Sequence, residues 1–172
     1  IEPLIHMLQG SVAGLTKQDE REVFSSETAD IAPVICYESI YGSYVGEYVR
    51  QGADIIFIVT NDGWWDDTPG HKQHLKFATL RAIEHRRPIA RSANTGISCF
   101  IDQRGDILQP TGYGVEAAIK GSVDPGNEGT FYTKWGDIIA RICVFLSVML
   151  IALTIVRSRL RNVESAAGQE SV

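Results

Sequence analysis

Residues 138–156, IIARICVFLSVMLIALTIV, hold a single charged side chain, Arg141. No other stretch limits the fold as tightly. A helix needs about 20 mostly apolar residues to cross a bilayer core, and this run has that length. Arg141 lies one turn inside, close enough to the end for its guanidinium to snorkel to the interface. Phe131, Tyr132 and Trp135 stand just before the run, where an interfacial aromatic belt belongs. A buried core helix is the competing reading, but such helices rarely stay apolar on every face for so long. The pattern therefore predicts a transmembrane helix over 138–156.

The flanks give an orientation. Arg157, Arg159 and Arg161 follow the run, whereas Lys134 precedes it closely and is offset by Asp137. Basic flanks stay in the cytoplasm. Residues 157–172, a basic tail ending in SAAGQESV, are then expected to be cytoplasmic and disordered. Residues 1–133 are expected on the opposite side, which in a bacterium is the periplasm or the exterior. The chain opens IEPLIHML, with neither an initiator Met nor a signal-peptide pattern, and reads as a domain whose N-terminal part lies elsewhere.

Residues 1–133 alternate strand and helix patterns. IAPVICY (31–37) is a buried strand, and SIYGSYVGEYVRQG (39–52) a helix with Ile40, Tyr44, Val45 and Tyr48 on one face and Gly52 as its stop. DIIFIVT (54–60) is a second strand, followed by the turn-rich loop NDGWWDDTPG. HKQHLKFATLRAIEHRR (71–87) is a second helix ended by Pro88. PIARSA, a turn at NTG, ISCFID, a hairpin turn at QRGD and a last strand at AAIKGSV (117–123) complete an α/β layered fold. In such sheets ligands sit at the carboxyl ends of strands. Three features fall there: Cys36 with Glu38, the stretch 61–65, and the stretch 92–95.

The net charge is −5 with no basic patch, which removes nucleic acid as a partner. Cys36, Cys99 and Cys143 have no CxxC spacing and do not cluster with the four histidines, so no metal site and no cofactor are expected. Each thiol could be a small buried hydrophobe. Cys36 differs in ending a strand with a carboxylate two positions on. His71 and His74 start a helix without a third ligand, and read as surface or cap residues. Arg81 and Glu84 read as a helix-face ion pair of little energetic consequence.

CYES after an apolar strand, VTNDGWW after the next, and RAIEHRRPIARSANTGIS resemble the carbon–nitrogen hydrolase (nitrilase) superfamily. Within it they are most similar to the membrane-bound branch that N-acylates bacterial lipoproteins. The resemblance covers about residues 30–160. It implies part of a nitrilase-like α-β-β-α sandwich over 1–133, then the transmembrane helix. It also implies a location in the bacterial inner membrane, multi-pass in the full protein, with a periplasmic catalytic domain. The implied reaction moves an acyl chain from a phospholipid donor, through a cysteine thioester, to a diacylated prolipoprotein. The family uses a Glu–Lys–Cys triad, whose nucleophile maps onto Cys36. Glu38 maps onto a supporting acid, and the backbone N–H of Tyr37 is a candidate oxyanion donor. The triad's Glu and Lys lie upstream of the cysteine. Lys17, Glu20, Glu22 and Glu27 lack a strand-end context, so those roles are not assigned to them, and the chain alone is expected to be inactive. Asn61, Trp64, Trp65 and Asn94 are candidate substrate contacts, the tryptophans as walls of an acyl groove. Two other readings stay open: a membrane-tethered amidase or nitrilase using water as acceptor, and a catalytically incomplete anchored domain with Cys36 in its core.

Overall fold

The computed structural model describes residues 20–169, with side chains through residue 159. Six strands form one mixed sheet in sequence order. They are β1 (Phe24–Ser25), β2 (Asp30–Ile35), β3 (Ile55–Thr60), β4 (Ile89–Ala93), β5 (Cys99–Ile101) and β6 (Ile107–Leu108). β2, β3 and β4 are parallel, and the outer pairings are antiparallel. Helices α1 (Gly42–Arg50) and α2 (Pro69–His85) make the parallel crossovers. Pro33, which has no N–H to give a ladder, lies beyond the two-residue pairing with β1, on the edge that β1 leaves open.

Strand alternation decides what each face does. Ala32, Val34, Ile56, Ile58 and Ile89 point to the helices and pack with Val45, Tyr48, Leu75, Ala78 and Ala82. The alternate residues Ile35, Phe57 and Val59 point away and are exposed. Parallel sheets are ordinarily covered on both faces. One helix layer and one sheet are thus present among the described residues, consistent with part of an α-β-β-α sandwich.

The segment 117–123 corrects the sequence reading, because no strand forms there. Its apolar residues Ala117, Ala118 and Ile119 instead lie with Phe57 and Val59 around a groove of about 320 Å³ on the open face. Gly121 passes against the Phe100 ring, where a Cβ would lie 2.7 Å from it. The two-residue β6 offers only a short edge for a further strand to pair with, and the segment runs over the face of the sheet instead.

Two more helices follow, α3 (Phe131–Trp135) and α4 (Ile138–Gln169). The α4 window Ile138–Arg159 has a mean hydropathy of 2.6 and none of it is buried, so it is not a core helix of this domain. By length and composition it can cross a membrane. Helical backbone continues past residue 156 to Gln169.

Candidate active site

β2 ends at Ile35, and Cys36 then takes φ +51°, a left-handed conformation that costs a non-glycine residue about 1–3 kcal/mol. The chain continues as a single 3-10 turn, Cys36–Ile40. Neighbouring groups hold this elbow from both sides. The Glu38 carboxylate accepts from Ile35 N–H at 2.8 Å and from the Tyr44 hydroxyl at 2.6 Å. Burial, then the hydrogen bond to Glu38, pushes the Tyr44 phenol up, so it stays a donor. Ser39 Oγ donates to the Cys36 carbonyl at 2.8 Å, and His74 Nε2 lies 3.2 Å from the same oxygen. Glu38 is therefore a brace of the elbow, with both oxygens engaged.

Parallel register places the ends of three strands side by side. Ile35 pairs with Val59, Val59 with Ser92, and Thr60 with Ala93. The Thr60 hydroxyl consequently reaches Cys36 Sγ at 3.3 Å and Asp62 Oδ1 at 3.1 Å. Asp62 is fully buried and also meets His74 Nδ1 at 2.9 Å and Arg91 Nη2 at 2.7 Å. A carboxylate only accepts, so Nδ1 carries the His74 proton on that side. Burial alone would push the Asp62 carboxyl up, but hydrogen bonds and charge from His74 and Arg91 outweigh it and bring it down to about 2. Gly96 presses against Asp62, and a Cβ there would collide with the carboxylate. A buried ionic cluster thus backs the exposed rim on which Cys36 sits.

Sequence-predicted residues gather at this rim but do different things. Tyr37 is half exposed, with its ring stacked on Trp65 at 5.9 Å. Trp65 also leans on His74, whereas Trp64 is 84 % exposed, so the adjacent tryptophans diverge. The cavity beside Tyr37 and Trp65 measures about 50 Å³, the scale of a water rather than an acyl chain. Asn61 Oδ1 accepts from Gly63 N–H at 3.0 Å and from Thr95 Oγ1 at 3.4 Å, latching two rim turns together. Asn94 donates its backbone N–H to Thr60 at 2.9 Å, and its side chain is exposed. Glu20, Glu22 and Glu27 are exposed, and Glu27 lies in the turn that opens β2, at the far end of the strand from Cys36. Lys17 lies outside the described residues.

Two sequence expectations are corrected. His71 and His74 are buried rather than at the surface. α2 lays this face on the rim, where His71 packs on Tyr113 at 4.3 Å and His74 enters the Asp62 cluster. The Arg81–Glu84 pair, at 2.7 Å, is buried on the arginine side, where Arg81 also donates to the Ile40 carbonyl at 2.6 Å. It therefore ties α2 to the elbow instead of decorating a surface. The sequence does not single out Thr60 or Arg91, and marks Asp62 only as part of the stretch 61–65. The one signal was an Asp and a Thr flanking the end of β3.

The other thiols are placed differently. Burial pushes Cys99 up to about 11 against a partial offset from Arg91, and Cys143 lies on the exposed α4. No group of His, Cys, Asp and Glu that could hold a metal occurs among the described residues.

This chain is similar to known proteins in fold and in sequence. An amidase from Nesterenkonia sp. superposes over 59 % of this chain and 40 % of its own, with a TM-score of 0.50 at 19 % identity, a likeness of fold. Proteins named apolipoprotein N-acyltransferase match much more closely in sequence. The one from Chlorobaculum tepidum is 34 % identical over 91 % of this chain and 31 % of its own length. That from Geobacter metallireducens is 30 % identical over 93 % of this chain and 31 % of its own. That from Bradyrhizobium diazoefficiens is 43 % identical over 69 % of this chain and 22 % of its own. The chain therefore spans a third or less of the length of these relatives. The family model for carbon–nitrogen hydrolases matches residues 6–131, all six strands of the sheet, both crossover helices and the Cys36 elbow, and the chain belongs to the carbon–nitrogen hydrolase family.

Proposed function

We propose that this chain is the cysteine-bearing part of a membrane enzyme that moves a fatty acyl chain from a phospholipid to the N-terminal amine of a diacylglyceryl-cysteine lipoprotein. The observation that carries the reading is the elbow at Cys36, a strained thiol at the carboxyl end of a parallel strand with a hydroxyl on its sulfur. Strain of this kind concentrates at functional sites. The acyl-transfer chemistry is supported by the names of relatives that match nine-tenths of the chain.

In the first half-reaction the Cys36 thiolate attacks the ester carbonyl of the phospholipid. A C–S bond forms, the ester C–O bond breaks, and lysophospholipid leaves with a proton. In the second, the lipoprotein amine attacks the thioester. A C–N bond forms, the C–S bond breaks, and the amine's proton is released as thiolate is regenerated. Each tetrahedral intermediate carries an oxyanion, for which the Tyr37 N–H is the nearest backbone donor after the nucleophile. Thr60 Oγ–H steadies the thiolate, and Glu38, Ser39 and His74 hold the elbow in its strained form. We assign the proton-removing base and the oxyanion cation to sequence upstream of the described residues. α4 crosses the membrane, with residues 157–172 in the cytoplasm and the domain on the other side.

The test is to incubate the full-length enzyme with phospholipid and map the adduct by mass analysis under mild acid. One acyl chain is expected on the Cys36 peptide, released by neutral hydroxylamine. Cys36→Ala should lose the adduct and transfer together, while Cys99→Ala keeps both. An adduct elsewhere would overturn the assignment. Free fatty acid formed without acylated lipoprotein would point to a hydrolase.

A further inference from the structure

Away from the Cys36 rim, a cavity of about 200 Å³ opens between α1, the end of α2, α3 and the first turn of α4. Arg50, Lys134 and Arg141 converge on it from three elements, with Ser43, Tyr132 and Trp135 between them. Among the described residues none of these cations is in an ion pair. No carboxylate lines the cavity. Of the acids nearby, Glu84 is already paired with Arg81 and Asp137 accepts from the Tyr132 hydroxyl. The walls are fixed rather than loose. Arg50 Nη1 donates to Thr133 O at 3.0 Å, and the Lys134 ammonium stands over the Trp135 ring at 5.6 Å. His85 closes the floor as a neutral ring, donating from Nε2 to Gly42 O and accepting at Nδ1 from the Thr133 hydroxyl. It adds no charge that would need its own counter-ion.

Unpaired positive charge converging on a small polar cavity is a site for an anion. Its position says which anion. Arg141 sits in the first turn of the apolar α4, so the cavity opens where that helix leaves the domain, beside exposed Phe131 and Trp135. An anion held there has exposed apolar helix beneath it for acyl chains to follow. We propose that this cavity holds the phosphodiester headgroup of an anionic phospholipid, which seats the domain on the membrane at a fixed height. The site shares no lining residue with the Cys36 rim. It rests on α4 as the membrane helix but not on acyl transfer.

The experiment is native mass spectrometry of the full-length protein in detergent, titrated with dioleoylphosphatidylglycerol. One lipid should be retained, and Lys134→Gln with Arg141→Gln should weaken its binding roughly tenfold to thirtyfold. Both side chains are exposed, so the double variant should keep its unfolding temperature. A matched pair at the other end of α4, Arg157→Gln with Arg159→Gln, should leave retention unchanged. Equal loss in both double variants, or no loss in the first, would overturn the site. Displacement of the lipid by millimolar inorganic phosphate would assign the cavity to a free ion instead. Thioester formation on Cys36 is read separately, so the two proposals can fail independently.

Discussion

The two ends of α2 each carry a buried histidine. His74 and His85 are eleven positions apart and point from the helix within about 20° of each other. At the rim end, His74 gives its Nδ1 proton to an ionised Asp62, and its other nitrogen faces Ser39 and the carbonyl of Cys36. At the anchor end, His85 meets a carbonyl and a hydroxyl, and the charges that bear on its ring are those of Arg81, Arg50 and Arg87. The same residue on the same helix face therefore joins an ionic cluster behind a nucleophile in one place and a neutral joint in the other. What differs is the partner that the neighbouring turn brings. β3 delivers a carboxylate past its last residue, and α3 delivers Thr133.

The largest effect should come from removing that carboxylate. Asp62→Ala leaves Arg91, fully buried, without its counter-charge, and breaking a buried pair in this way costs about 3–5 kcal/mol. Thr133→Val at the anchor end removes two neutral hydrogen bonds, to His85 and to Thr130, and should cost about 2 kcal/mol. Chemical unfolding of the two variants measures the contrast. Equal losses would mean that the rim cluster is no more than ordinary packing.

A pH titration sharpens the same comparison. Burial chiefly, together with Arg81, Arg50 and Arg87, pushes His85 down from 6.5 to about 4, although its bond to Gly42 opposes the shift. The unfolded chain binds this proton first as pH falls. Stability from the neutral ring is thus complete above about 6.5 and is lost as pH drops toward 4. The loss should reach about 2–3 kcal/mol across that window. Asp62 contributes little there, since its unfolded carboxyl, near 3.8, takes up protons only at the bottom of this window, and its stabilisation is lost chiefly as pH falls from about 3.8 toward about 2. His85→Gln keeps a donor for Gly42 and an acceptor for Thr133 without titrating, so its unfolding curve should be flatter between those pH values. An unchanged slope would place the titration elsewhere.

Much of the sheet could be read directly, because β2, β3 and β4 are short apolar runs closed by turn formers. The meeting of Cys36 with residues 61–65 and 92–95 followed from parallel order alone. What lay beyond the sequence were pairings over distance. Asp62 finds His74 twelve positions on and Arg91 twenty-nine positions on, and no local pattern marks either partner. Nor does periodicity reveal that Cys36 adopts a positive φ, since that depends on Glu38, Ser39 and His74 gripping the elbow together. AAIKGSV was misread for a related reason. Its composition suits a strand, but the two-residue β6 leaves little edge to pair with, and the segment runs over the face of the sheet instead.

The smallest predicted effect concerns a single proton. Thr60 Oγ lies 3.3 Å from Cys36 Sγ and 3.1 Å from Asp62 Oδ1, and one hydroxyl hydrogen cannot serve both. While the sulfur is a thiol, the carboxylate is the stronger acceptor and holds the hydrogen. Once the sulfur is ionised, the hydroxyl can turn to it, because Asp62 keeps its bonds from His74 and Arg91. Thr60→Val keeps the shape and removes the donor, and a hydrogen bond to a charged group is worth about 1.5–3 kcal/mol. Capture of Cys36 by iodoacetamide at neutral pH should therefore slow about tenfold or somewhat more. Thr60→Ser should restore the parent rate. A deficit that Thr60→Ser does not repair would mean that the substitution had disturbed the elbow, and the hydroxyl's service to the sulfur would be refuted.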